Sequence, residues 1–140
     1  MRASGTFKVE GFTPADVRLP EPVVETAVPV GVATMWKRYE GEVAGVSQTL
    51  FTAAYDQASG TGTYVAMESF EGTLGELSGS FNFAHSATTL GEGREAEFFV
   101  IVPGSGTGAL AGIRGAGGLR IDTDGTHRIW FEYELGDGGF

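Results

Sequence analysis

The sequence predicts an all-β fold, a single antiparallel barrel of about eight strands, and three observations carry that expectation. Short runs rich in Val, Phe, Tyr, Thr and Ile alternate apolar with polar residues. Glycine separates these runs; at 23 of 140 residues it is the compositional outlier, against a usual share of about 7%. It stands where turns punctuate a β chain. No segment carries a helical period long enough to hold, since the best of them, Pro14–Leu19, is too short to be stable alone. A hydrophobic content of 41% and an aromatic content of 11% set the chain apart from disordered Gly-rich sequences.

Taken in order, Ala3–Phe12 alternates, with Phe7 and Val9 on one face and Thr6, Lys8 and Glu10 on the other. Thr13–Pro29 holds four of the five prolines and reads as an extended excursion, because proline supplies no ladder donor. Val30–Glu40 and Glu42–Asp56 are two strands joined at Glu40-Gly41. Thr61–Leu74 and Leu77–Ser86 form a hairpin around Gly75-Glu76. Glu95–Pro103 is a buried-type run, Leu119–Asp122 a short strand and His127–Leu135 the last. Asp124-Gly125 before it is a hairpin turn, because both residues tolerate positive φ. A closed barrel leaves no exposed edge, which favours it over the alternative, a sandwich.

Composition bounds the function. Residues 1–140 form one domain, large enough to fold without a disulfide or a metal. Nine basic against 18 acidic residues give a net charge of −9, which disfavours binding to nucleic acid. The absence of cysteine excludes disulfides, thiolate metal sites and a cysteine nucleophile. His85 and His127 are far apart in sequence and no carboxylate cluster has ligand spacing, so neither a metal nor a cofactor is expected. No apolar run approaches the roughly 20 residues of a membrane helix, and the first residues lack an apolar signal core. A cytoplasmic location without membrane association is therefore expected.

Alternation then sorts each strand into faces. In the last strand Ile129, Phe131, Tyr133 and Leu135 should point in, opposite Arg128, Trp130, Glu132 and Glu134. Phe81, Phe83 and His85 share an inner face, as do Tyr64, Ala66, Glu68 and Phe70. Met35 and Tyr39 are placed inside on the second strand, and Leu50 with Gln48 on the third. The interior is then aromatic and aliphatic with a few polar groups, chiefly Glu68, His85 and Tyr133. These either form a satisfied core network or line a pocket and exchange protons. Desolvation would raise the pKa of Glu68 and lower that of His85, while mutual pairing would do the reverse. Trp36 and Trp130 fall on polar outer faces, where two large aromatics suggest a contact between subunits of a homo-oligomer.

The glycine-rich Val102–Gly118 invites a phosphate-loop reading. No lysine follows at the required spacing and no βαβ unit surrounds it, so turns and bulges at a barrel rim explain it better. Ser105 lacks the helix that a nucleophile elbow needs.

Four segments occur in one order: ASGTF, YVAMESFEGTLGELSGSFNFAHS at Tyr64–Ser86, VPGSGTGALAGIRGAGG at Val102–Gly118, and the closing HRIWFEYEL. Together they resemble a family of small bacterial proteins of unknown function with allene-oxide-cyclase-like β-barrels. The resemblance implies a barrel with a central cavity, usually in an oligomer, with Glu68, His85 and Tyr133 at matching motif positions. The chain departs from that pattern in its Pro-rich segment, which lacks an expected Trp-x-Glu, and at Ile129, where Tyr is more usual.

The functional expectation is a cofactor-independent cyclase or isomerase acting on a hydrophobic, oxygen-bearing small molecule, as in bacterial natural-product pathways. Glu68 or His85 would be the acid–base group and Tyr133 would orient a substrate oxygen. Met35, Tyr39, Leu50, Tyr64, Phe70, Phe81, Phe83 and Phe131 would line the cavity. The alternatives are a lipocalin-like binding protein that uses the same cavity without turnover, and a structural oligomer whose barrel is filled by side chains.

Overall fold

In a computed structural model, which describes residues 1–136, eight antiparallel strands close into a barrel. They are β1 (Arg2–Ala15), β2 (Val30–Gly41), β3 (Val43–Asp56), β4 (Thr61–Leu74), β5 (Leu77–Leu90), β6 (Glu95–Ile101), β7 (Ile113–Ile121) and β8 (His127–Leu135). Each strand pairs with its neighbour in sequence, and β1 pairs with β8 from Arg2↔Glu132 to Phe7↔His127. The β4–β5 hairpin turns at Gly75-Glu76 with Leu74 opposite Leu77, as the alternation requires. Residues 16–29 form the extended excursion.

Two departures from the expected elements have local causes. β7 begins inside the glycine-rich segment rather than at Leu119, because Gly115, Gly117 and Gly118 are strand residues facing β8. A Cβ on Gly118 would lie 2.2 Å from the Trp130 ring, so the bare backbone is what seats that indole. Trp36 likewise lies over Gly11, its partner across the β1–β2 ladder. Each outer tryptophan therefore rests on a glycine of the neighbouring strand, and Trp36 stays 41% exposed. The second departure is a bulge in β1 between Val9 and Gly11. It reverses the alternation beyond it, so Phe12 joins the inner side opposite Met35, while Val9 keeps its place opposite Lys37.

The interior is filled unevenly along the barrel axis. At the end that carries the β2–β3 and β4–β5 turns, Val43, Phe70, Leu74, Phe81, Phe83, Leu110, Ile113, Ile129 and Phe131 pack into one buried cluster. Phe131 stands edge-on to Phe81, Phe83 and Phe99 at centroid separations of 5.1–5.6 Å. At the other end the strands close over no such cluster, and the barrel opens.

Four of the expected cavity-lining residues are corrected by this packing. Phe70, Phe81, Phe83 and Phe131 point inward as alternation requires, but they are core. At this level the barrel is just wide enough for such side chains to fill it. On β3 the expected face is inverted. Ser47 and Thr49 point in, while Leu50 is 64% exposed and Gln48 lies outside with it. The cause is β3's own composition: its inner residues are small and hydroxylated, so polarity does not distinguish its faces.

Glycines also fix how closely β3 and β4 approach. Gly45 and Gly72 face each other, and a Cβ on Gly72 would stand 2.0 Å from the Ala44 carbonyl oxygen. Gly72→Ala should therefore lower stability by about 3 kcal/mol, or roughly 10 °C in Tm. Gly31→Ala, whose Cβ would meet nothing within 4 Å, should leave Tm nearly unchanged. Thermal unfolding of the two variants checks the comparison.

Candidate functional site

The centre of the barrel is polar. Glu68 on β4 is completely buried, and its carboxylate accepts hydrogen bonds at all four lone-pair positions. Tyr39 OH and Ser47 Oγ donate to Oε1 at 2.7 and 2.8 Å. Lys37 Nζ donates to Oε2 at 2.8 Å, and His85 Nε2 donates to the same oxygen. Strand register explains the convergence. Lys37 and Tyr39 flank one step of β2, Ser47 lies on β3, and His85 is one inward position from Phe83, the residue paired with Glu68. The Lys37 ammonium also sits 4.9 Å over the Phe7 ring.

This pairing decides the charges. Burial alone would raise the Glu68 pKa, but the hydrogen bond from His85 and the charge of Lys37 outweigh it, holding the carboxyl well below the usual carboxylate range. Burial lowers the pKa of His85 against the opposing pull of Glu68, so the imidazole is neutral near pH 7. Burial, and then the Glu68 charge, push Tyr39 well above the ordinary phenol range.

The network continues outward. The neutral His85 carries its hydrogen on Nε2, because that nitrogen faces a carboxylate oxygen. Nδ1 is thus an acceptor, and it receives the hydroxyl of Tyr64 at 2.7 Å. Tyr64 Oη in turn accepts from an Arg94 terminal nitrogen at 2.8 Å, while Arg94 Nε donates to Glu97 at 2.6 Å. Burial raises the Tyr64 pKa and Arg94 pulls it back, so Tyr64 rests as a phenol. The result is a continuous relay, Glu68–His85–Tyr64, with a guanidinium at its outer end.

Tyr64 and Arg94 stand in the wall of a cavity of about 770 Å³ at the open end of the barrel. Phe12, Ala33, Phe51, Ala53, Ala87 and Ile121 make up much of its apolar surface, and Pro14 and Pro29 bring the two ends of the excursion to its rim. Phe51 stacks on Tyr64 at 5.4 Å. Glu68 and His85 lie beneath this wall and reach the cavity through Tyr64.

Of the residues the sequence singled out, Glu68, His85, Tyr39 and Tyr64 come together here. Tyr133 does not. It is inward and 7% exposed, but it pairs with Gly115 toward the packed end, where its backbone meets Met1. Alternation assigns a face and says nothing about height along the barrel axis. Met35 is half-buried and, with Leu50, borders a separate outer groove beside Trp36. Sequence reasoning missed Lys37, Ser47 and Arg94. Lys37 was open to discovery, since it lies between Met35 and Tyr39 on the face assigned to the interior. Arg94 follows a glycine turn, where no periodicity applies. Among the described residues, no group of three or more His, Asp and Glu side chains could hold a metal ion.

Both depressed pKa values act on stability in the same direction. As pH falls, the unfolded chain gains a proton at its position-85 imidazole near 6.5 and at its position-68 carboxyl near 4.5. The folded protein takes up each only at lower pH. The pair's contribution is thus complete above about pH 6.5 and is lost progressively on acidification. In His85→Gln the first stage of that loss should vanish and the decline should begin in the carboxylate range. Calorimetric Tm values measured from pH 8 to pH 4 check this.

Comparison with known proteins agrees with the fold and adds no activity. No curated protein matches the sequence. The crystal structure of a protein of unknown function from Shewanella oneidensis MR-1 superposes with a TM-score of 0.83 at 27% identity, over 99% of this chain and 98% of that one. That protein comes from a family described as protein of unknown function (DUF3224), whose model matches residues 3–133 here. The chain belongs to the DUF3224 family.

Proposed function

We propose that the protein is a cofactor-independent isomerase or cyclase that moves a proton on a hydrophobic, oxygen-bearing small molecule held in the mouth cavity. The observation that carries this reading is the relay, which ends on a phenol in the wall of an apolar cavity. At rest the proton lies on Tyr64. Transfer to His85 Nδ1 would create a phenolate beside Arg94 and an imidazolium beside the Glu68 carboxylate, so each new charge forms next to its complement. The phenolate could then take a proton from a bound molecule, and the returning proton could be delivered elsewhere on it. The cavity supplies the positioning that lets a flexible apolar molecule react in one conformation. Tyr64 and Arg94 would touch substrate; Glu68 and His85 act through Tyr64 as positioning groups. The wider class of allene-oxide-cyclase-like barrels fits this chemistry by analogy of fold.

One observation favours the binding-protein alternative: Glu68 has all its acceptor positions filled, which is how a purely structural network also looks. A panel of apolar epoxides, enones and ketones incubated in D₂O separates the two readings. Isomerisation or deuterium incorporation, read by NMR, should occur for at least one class and fall about 100-fold or more in Tyr64→Phe, with the fold intact. Binding without any exchange across the panel would establish a carrier instead.

Self-association forms part of the proposal, on a surface that includes Trp36 but not Trp130. Outside β2–β5, Thr34, Leu50, Met67 and Ala84 run in register across four strands. The flanking rows, Val32–Thr52–Val65–Ser86 and Trp36–Gln48–Ser69–Asn82, are also uncharged. On a chain of net charge −9, this is a face where two copies meet without opposing charges. Light scattering should give a mass above 14.7 kDa, and Leu50→Glu should restore the monomer. A monomeric wild type overturns it.

A further inference from the structure

The cavity's charge is confined to one side. Among the described residues that line it, Arg94 is the only charged one, and the other walls are aromatic, aliphatic, glycine, proline and a few neutral polar side chains. A guanidinium beside such a surface is costly unless paired, and here its pairing is incomplete. Of its five N–H donors, one goes from Nε to Glu97 and one to Tyr64 Oη. Three remain, on the two terminal nitrogens. The Arg94 side chain is 23% exposed, so these donors remain accessible at the cavity wall, and Tyr64 and Glu97 hold the plane of the group in place.

The placement of this cation is informative because the rest of the chain is acidic. Nine excess negative charges repel anions from the surface at large, yet the apolar cavity carries a positive group at its wall. Tyr64 spends its hydrogen on His85 and accepts from Arg94, so at rest it offers a ligand no donor. Recognition of a charged head would therefore fall to the free fork of Arg94, the one charged group in the lining. A planar fork with spare donors matches a carboxylate in geometry and charge better than it matches a hydroxyl.

We propose that the mouth cavity takes an apolar monocarboxylate, with its carboxylate on the Arg94 terminal nitrogens and its hydrocarbon body along Phe12, Phe51 and Ala53. This deepens the functional reading above and depends on the same cavity. It also orients the ligand: the carbon next to the head group comes nearest to Tyr64 Oη. Glu97 becomes a selectivity element, because its carboxylate competes with the ligand for the guanidinium from the solvent side, where it is half-exposed.

The test compares dodecanoate with dodecanol, probes of one length that differ in the head group, by calorimetric titration of the full-length protein. Dodecanoate should bind about tenfold or more tightly than dodecanol. Arg94→Met should remove that preference while leaving dodecanol binding within a few-fold. Glu97→Gln should strengthen dodecanoate binding alone, an effect that a merely structural Arg94 would not produce. Equal binding of the two probes to the wild type, or a preference that survives Arg94→Met, overturns the carboxylate inference and leaves the cavity reading standing. Failure of both probes to bind overturns the cavity as the ligand site and the functional reading with it.

Discussion

A carboxylate with no access to solvent stands at the centre of this barrel, and the surrounding architecture is organised around keeping it there. Burying an isolated charge costs many kcal/mol, so Glu68 persists only because Lys37, Tyr39, Ser47 and His85 reach it from three other strands. Those four contacts fix the mutual register of β2, β3, β4 and β5 at mid-height. They also divide the interior into a packed aromatic base and an open mouth. A fully apolar centre of the same volume would serve stability at least as well. The polar centre is therefore better understood as a foundation for what stands on it, the imidazole and the phenol that lead to the cavity.

The relay draws its character from asymmetry of environment. Glu68 is anionic because two cationic or donating partners outweigh burial, while His85 is neutral because burial outweighs one anionic partner. That combination fixes the imidazole tautomer from below, since Nε2 must donate to the carboxylate. Nδ1 is then left as the acceptor for Tyr64. A carboxylate, an imidazole and a hydroxyl in series are a familiar way to make a hydroxyl proton transferable; here the hydroxyl belongs to a phenol and its oxygen already rests against a guanidinium.

The fold was readable because nearly every strand obeys a period of two and nearly every turn contains glycine. His85 and Glu68 were readable for the same reason: each lies between a phenylalanine and an alanine two positions away on its strand. The method failed where its assumptions fail. On β3 the inner residues Ser47 and Thr49 are less apolar than the outer Leu50, so polarity points the wrong way. In β1 a bulge exchanges the faces midway. Tyr133 shows a different limit, since it shares the interior with Glu68 but not its level. Lys37 was passed over because lysine seldom lies inside a protein, although its two neighbours on that face were assigned inward. Arg94 comes from a turn, and its role emerges only once the barrel brings β4 and the start of β6 to one end, on either side of β5.

The separation of packed base from open mouth has a consequence for how such a protein can diversify. Residues that carry the folding energy, such as Phe70, Phe81 and Phe131, lie at one end. Those that line the mouth cavity, such as Phe12, Phe51 and Ala53, lie at the other. A substitution at the rim thus alters what fits without opening a hole in the core, and the excursion anchored by Pro14 and Pro29 can lengthen or shorten without disturbing any ladder. A mouth of this kind can accordingly change its shape and lining while the scaffold beneath it stays constant.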